Sequence, residues 1–224
     1  MFIDYTFVMD EGQHELHYRV EFERPRLAQL NPNQYPNWTQ LSFSQCPHCP
    51  LDKKEYSHCP IAIDAHEIVM EFSDILSCKE ADILIETPER NYSKHTDAQT
   101  GLRSLIGFVM ASSDCPLMKP MRGMAYYHQP FASLDETVYR MASSYLMAQY
   151  FKLQKGEKTD FKLIGLKKYH EDIQTLNRYF LGRVRAASEA DASLNVLATL
   201  FTISSMLSIS LERQLNQLEH LFSE

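Results

Sequence analysis

The chain lacks a basic excess, a long apolar run and every common catalytic signature. Lys and Arg number 22 against 29 Asp and Glu, giving a net charge of −7 and a pI near 5.7. That balance argues against a general nucleic-acid binder, which would carry the opposite sign. Residues 192–211 hold no charge. They do contain Ser193, Asn195, Thr199, Thr202, Ser204, Ser205, Ser208 and Ser210, too many polar groups for a membrane span of about 20 predominantly apolar residues. A buried or partner-facing helix is expected there instead. Met1-Phe2-Ile3-Asp4-Tyr5 has neither a basic n-region nor an apolar h-region, so no secretory signal and a reducing, cytoplasmic setting are expected. There is no Gly-rich phosphate loop, no Gly-x-Ser-x-Gly elbow and no His-Glu-x-x-His helix. Internal repeats and low-complexity tracts are missing too.

Proline is scarce, at 10 in 224 residues, yet four of the five cysteines precede one: Cys46-Pro47, Cys49-Pro50, Cys59-Pro60 and Cys115-Pro116. Only Cys78, followed by Lys79, does not. In a reducing compartment cysteines serve as metal ligands or reactive thiols more often than as disulfides. Cys-x-x-Cys places two thiolates on one turn, a third ligand ten residues on closes the loop, and a fourth from a distant segment ties it to the fold. Zinc held by Cys46, Cys49, Cys59 and Cys115 is therefore expected. His48 and His58 flank ligand positions, and a Cys₃His set using His58 is the second choice. An iron–sulfur cluster competes, although the Cys-x-x-Cys-x-x-Cys spacing is absent. A Cys-x-x-Cys redox pair also competes, although no helix opens after Pro50. The plain alternative is buried cysteines in proline-rich turns without metal. Four protein ligands leave zinc no open position, so the pattern leans away from an enzyme.

With 44% hydrophobic and 23% charged residues, the composition is that of a soluble globular protein. Period-2 alternation on either side of Asp10-Glu11-Gly12-Gln13 predicts a β-hairpin over 2–23. Pro25, Pro32 and Pro36 mark an irregular connector, with the single tryptophan, Trp38, where it meets the core. Leu41-Ser42-Phe43 reads as a short strand. A helix starts at Pro60, placing Cys59 at its N-cap. Ile83-Leu84-Ile85 reads as a strand, 88–97 as a polar loop, and 98–113 as a helix ending just before Cys115. Gly101 and Gly107 either admit a close neighbour or weaken that helix. Residues 116–133 read as irregular. Ser133 and Glu136 form a capping box for a helix to about Leu153, Asp160 caps another, and a last helix runs from about Asp191 to Phe222. The expected fold class is α+β: an N-terminal part, 1–125, with the hairpin, the cysteine loop and two helices, then a C-terminal three-helix unit within 126–224. The alternative is one continuous domain.

Outside the cysteines, His128 lies among aromatics in Tyr126-Tyr127-His128-Gln129-Pro130-Phe131, ahead of a helix bearing Glu136 and Arg140. Such a trio could bind an anion or move a proton, against the plainer reading of a histidine bonded to a backbone carbonyl or to Glu136. Glu89, Arg90 and Arg103 suggest an anion site at a helix start or a solvated loop. Lys152, Lys155, Lys158, Lys162, Lys167, Lys168, Arg178, Arg183 and Arg185 read as a solvated helix face or an acidic-partner surface.

Leu41-Ser42-Phe43, Cys46-Pro-His-Cys49-Pro-Leu, His58-Cys59-Pro-Ile-Ala, Ser113-Asp-Cys115-Pro, His128-Gln-Pro-Phe131 and Asp191-Ala-Ser-Leu-Asn195 together resemble an uncharacterised family of bacterial cytoplasmic proteins. The resemblance implies that the Cys-Pro positions are a family feature, and it carries no activity. The expectation is thus a binding or regulatory module with structural zinc. It would have a protein partner or self-associate through its C-terminal helices, and would engage neither nucleic acid nor membrane. A redox sensor with an iron–sulfur or labile zinc–thiolate site, and an enzyme built around His128, are the alternatives.

Overall fold

The computed structural model describes residues 1–24, 34–187 and 211–222. The alternating N-terminal pattern forms strands β1 (Phe2–Met9) and β2 (His14–Glu21), paired antiparallel with Tyr5 opposite Tyr18. The turn between them takes positive φ at Asp10, Glu11 and Gly12, so three successive residues sit in the left-handed region that glycine tolerates best. Strand β3 (Glu80–Glu86) pairs with β1, and β4 (Asn91–Asp97) pairs with β3. All neighbours are antiparallel and the order is β2-β1-β3-β4. The polar loop expected over 88–97 is therefore a strand for most of its length. β4 is an edge strand with little burial on either face, so its sequence never needed the apolar alternation that identifies a half-buried strand.

Every second residue of β1 is buried, namely Ile3, Tyr5, Phe7 and Met9. This face is covered by α1 (Pro60–Glu71) and α2 (Ala98–Ser112). Full burial of side chains such as Phe72, Leu105 and Phe108 contributes about 1.5–3 kcal/mol each. Helix α2 comes down onto the sheet at Gly101, where an added Cβ would collide with Ile83 Cδ1 and the Phe7 ring. Gly107 has open space instead. After α2, the chain makes a 3-10 turn, Pro116–Met121, and a short helix α3 (Arg122–Tyr126).

Helix α4 (Leu134–Gln154) begins with the expected capping box: Ser133 Oγ accepts from Glu136 N–H and Glu136 accepts from Ser133 N–H. Helix α5 (Ile164–Ala187) follows. Asp160 receives the Gly165 N–H at 2.6 Å, as a residue capping this helix should. α5 adds Ile173, Leu176, Phe180 and Val184 to the cluster under the sheet, while Leu166 joins a second cluster with Val138, Met141, Leu211 and Leu218. The architecture is α+β, as the sequence patterns imply. Most of the expected last helix lies outside the described residues; residues 211–217 of it are helical. Among the described residues no helix is long and apolar enough to cross a membrane.

Candidate functional site

The cysteine loop is stitched shut at its neck. Leu41 N–H donates to Ser57 C=O and Cys59 N–H to Thr39 C=O, both at 2.9 Å, around a single bridge between Gln40 and His58. The expected strand at Leu41-Ser42-Phe43 is instead a run of turn: Phe43 N–H donates back to Gln40 C=O at 3.1 Å, and the Leu41 carbonyl accepts from a side chain, not from a neighbouring strand. That side chain is Arg183 of α5. It is 2% exposed and donates to the carbonyl oxygens of Trp38, Gln40, Leu41 and Ser44 at 2.6–3.2 Å. Inside the loop, Cys49 N–H donates to Cys46 C=O at 3.0 Å, the turn a Cys-x-x-Cys spacing calls for. Trp38 is buried, as expected for the point where connector meets core.

Cys59 is the N-cap of α1 and Cys115 holds the same position on the Pro116–Met121 turn, each with proline directly after it. Neither thiol makes a capping hydrogen bond. The following N–H groups nonetheless face the sulfurs: Ile61 and Ala62 at Cys59, Leu117 and Met118 at Cys115. Cys46, Cys49, Cys59 and Cys115 line one cavity of about 20 Å³, walled otherwise mainly by apolar side chains, with Ser44, Gln45 and Arg183. Burial pushes the thiols of Cys46 and Cys115 up to about 12 and raises that of Cys59. Arg183 pulls Cys46 and Cys59 back toward the thiolate. All the cysteines are free thiols. As the side chains stand, no group of three or more His, Cys, Asp or Glu among the described residues could hold a metal ion. The four thiols thus share a cavity without being drawn into a coordination geometry. Cys78 is exposed and does not line it.

Neither neighbouring histidine lines the cavity. His48 Nδ1 lies 2.8 Å from Asp172 Oδ1 at the surface. His58 is buried, with Nδ1 on Ser57 Oγ at 2.8 Å and its ring against Tyr35.

A second cavity, of about 190 Å³, opens among α2, α3, α4 and α5 and is lined by His128, Arg140, Arg103 and His170. His128 Nε2 lies 2.6 Å from the buried Tyr5 hydroxyl and 3.4 Å from Ser104 Oγ. Burial holds the His128 ring neutral, at about 3. Arg140 donates to the carbonyls of Met124 and Tyr127 at 2.8 Å. Glu136 does not join them. It is turned outward to Ser133 and Gln129, so the expected trio is reduced to His128 and Arg140. Arg103, placed by the sequence in a solvated loop or anion site at a helix start, lies one turn into α2 and faces this cavity.

Residues 3–223 match a family model described as a domain of unknown function, DUF6901. The chain belongs to this family. No curated protein and no solved structure matches it. The match takes in both cavities.

Two residues that matter to these cavities, Arg183 and His170, escape a reading by charge alone. Their signal is position. His170 follows Leu166 by four and Arg183 follows Leu176 by seven, so both fall on the apolar stripe of α5. A polar residue on such a stripe is buried with a purpose, not solvated.

Proposed function

We propose that the chain holds one zinc ion through Cys46, Cys49, Cys59 and Cys115 and acts as a binding or regulatory module whose fold the ion fastens. The observation that carries this reading is Arg183, a buried guanidinium with no carboxylate partner among the described residues, set in the wall of the four-cysteine cavity. Burying a cation carries a penalty on the order of several kcal/mol unless opposite charge stands nearby. The four carbonyls offset part of it. A zinc ion with four thiolates carries a net charge of −2 and supplies the rest. The cavity volume of about 20 Å³ suits one ion and falls short of a multi-iron cluster. Two of the thiols sit on helix-type N-termini, where N–H groups and local dipoles favour thiolate. Ligation requires the four side chains to rotate toward a common point, a change of rotamer in a loop already closed at its neck.

With every coordination position taken by protein, the ion stabilises and does not catalyse. It joins the loop, the start of α1 and the end of α2 to α5. On this reading the Cys-Pro pairs are a mark of the family, and free thiols suit the reducing cytosol of a bacterial cell. The module's counterpart is then a protein, either a distinct partner or a second copy engaged through the C-terminal helices.

Metal analysis and an absorption spectrum on freshly purified protein test the reading. One zinc per chain and no visible colour are expected. Iron with sulfide in brown protein would replace zinc by a cluster and favour a redox sensor. Absence of both metals, with an unchanged melting temperature in Cys46→Ser, would end the metal reading altogether.

A further inference from the structure

The larger cavity is independent of the cysteine site and has its own chemistry. Its volume is about 190 Å³. An engineered cavity of about 150 Å³ in another protein accepts benzene, so this one has room for roughly eight non-hydrogen atoms on the same scale, a ring and the first atoms of its substituent. Met110, Met118, Met121, Met124 and Met141 line it. Half of the chain's ten methionines therefore face one space. Their unbranched, polarisable side chains adapt to a flat or irregular apolar guest and pack well against an aromatic ring.

The polar lining carries hydroxyl, amide, imidazole and guanidinium groups, the first two from Ser104, Thr137, Gln129 and Asn177, and so no negative charge. His170 is 2% exposed, and neither ring nitrogen has a hydrogen-bond partner among the described residues. A buried imidazole left unbonded on both sides is a standing cost that a ligand's hydrogen-bonding group would remove. Burial brings the ring down to about 4, so at neutral pH it is uncharged and offers one donor and one acceptor. Arg103 and Arg140 supply two guanidinium groups, and no Asp or Glu lines the cavity. Arg140 is held by two backbone carbonyls. Arg103 has no hydrogen bond or ion pair among the described residues.

We propose that this cavity is a binding site for a small aromatic monocarboxylate. The ring lies among the methionines, the carboxylate faces the guanidinium groups of Arg103 and Arg140, and His170 is open to any further polar group that a ligand carries. Guanidinium pairs with carboxylate through two parallel N–H···O bonds, which gives both charge and direction to the recognition. Apolar walls with a few convergent polar groups are the usual make-up of a small-molecule site.

Phenylacetate, with phenylacetamide as its uncharged analogue, tests this on the full chain by calorimetry and by spectra of ¹³C-labelled methionine methyl groups. A ligand of this size is expected to bind with a dissociation constant of about 1 mM or tighter. Binding should be saturable, should shift methionine signals, and should be at least about tenfold weaker for the amide. Arg103→Gln should erase that preference. Gly107 lines the cavity and has open space where a side chain would begin. Gly107→Leu should therefore fill the site and abolish binding while the melting temperature holds or rises. The proposal is overturned if phenylacetate shows no saturable binding, if acid and amide bind alike, or if folded Gly107→Leu still binds.

Discussion

Arg183 and Gln40 stand 143 residues apart in the chain and 2.6 Å apart in space, with Nη1 of the arginine donating to the backbone carbonyl of Gln40. Three more carbonyls on the same segment, those of Trp38, Leu41 and Ser44, receive the rest of the fork. The approach to the cysteine loop is thus shaped by α5. Arg183→Met keeps the apolar stem but leaves the carbonyls of Trp38, Leu41 and Ser44 without a donor, while Gln40 C=O keeps the Phe43 N–H. Leaving buried polar groups unbonded costs about 1–3 kcal/mol apiece, partly relieved here by water at the loop surface, so a loss of about 3 kcal/mol is expected in chemical denaturation. Arg183→Lys restores charge without the planar fork and should recover only part of it. On the proposed zinc reading, both variants should also retain less metal than the parent protein.

The five cysteines divide four to one. Cys46, Cys49, Cys59 and Cys115 share a cavity, whereas Cys78 is exposed and apart. Serine at any of the four is expected to lower zinc content and melting temperature together, because metal affinity and folding free energy are linked in such sites. Cys78→Ser should change neither. A chelator added to the parent protein under reducing conditions should reproduce the loss. Metal analysis paired with thermal melts of the five single variants separates this from cysteines that merely pack, since packing variants would lower stability with no metal to lose.

The two glycines of α2 should respond in opposite directions to alanine. At Gly101 the new methyl meets the Phe7 ring and the end of Ile83, on the face that presses against the sheet. Overpacking of this kind costs typically about 1–3 kcal/mol, more than the gain of about 1 kcal/mol from replacing glycine in a helix. Gly101→Ala should therefore be destabilised overall. At Gly107 nothing lies within reach of the methyl, so only the propensity gain applies, and Gly107→Ala should be more stable by about 0.5–1 kcal/mol. Denaturation midpoints of the pair decide it.

What could be read without coordinates was what local chemistry dictates. The β1–β2 hairpin announces itself by alternation, Cys59 as a helix cap by the proline after it, and α4 by Ser133 and Glu136. Strand β4 did not, because an edge strand exposed on both faces carries no apolar period. Leu41-Ser42-Phe43 alternates as a strand would, but it turns, with Phe43 N–H on Gln40 C=O and Arg183 on Leu41 C=O, an arginine that no local pattern reveals. The four cysteines were legible as a set from repeated Cys-Pro spacing, and the structure brings them to one cavity. Glu136, a candidate for the His128 pocket, stays outside it because the capping role that its spacing also encodes uses up the carboxylate. His170 is marked in the sequence only by its place on the apolar stripe of α5, four residues after Leu166, and by nothing in its immediate neighbours.

Acidification should find the buried histidines. Burial lowers His170 to about 4 and His128 to about 3 in the folded protein, against about 6.5 in an unfolded chain. Below about pH 6.5 the unfolded state takes up protons that the folded state refuses. Stability from these two groups is thus fully present above that pH and falls as pH drops toward the folded values. Asp64 works the other way. Burial, opposed by Arg24, raises it to about 6, so the folded state gains protons first as pH drops below that value and recovers some stability. Two histidines outweigh one carboxylate, and a net loss is expected between pH 7 and pH 5. For His170 alone the loss at pH 5 is about 2 kcal/mol, from about 1.5 pH units at 1.36 kcal/mol each. His170→Leu replaces an unbonded imidazole by an apolar side chain, so it should be no less stable than the parent at pH 7. It should then lose about 2 kcal/mol less on going to pH 5. Urea denaturation of both proteins at the two pH values tests this, and parallel losses would show that His170 binds its proton as readily folded as unfolded.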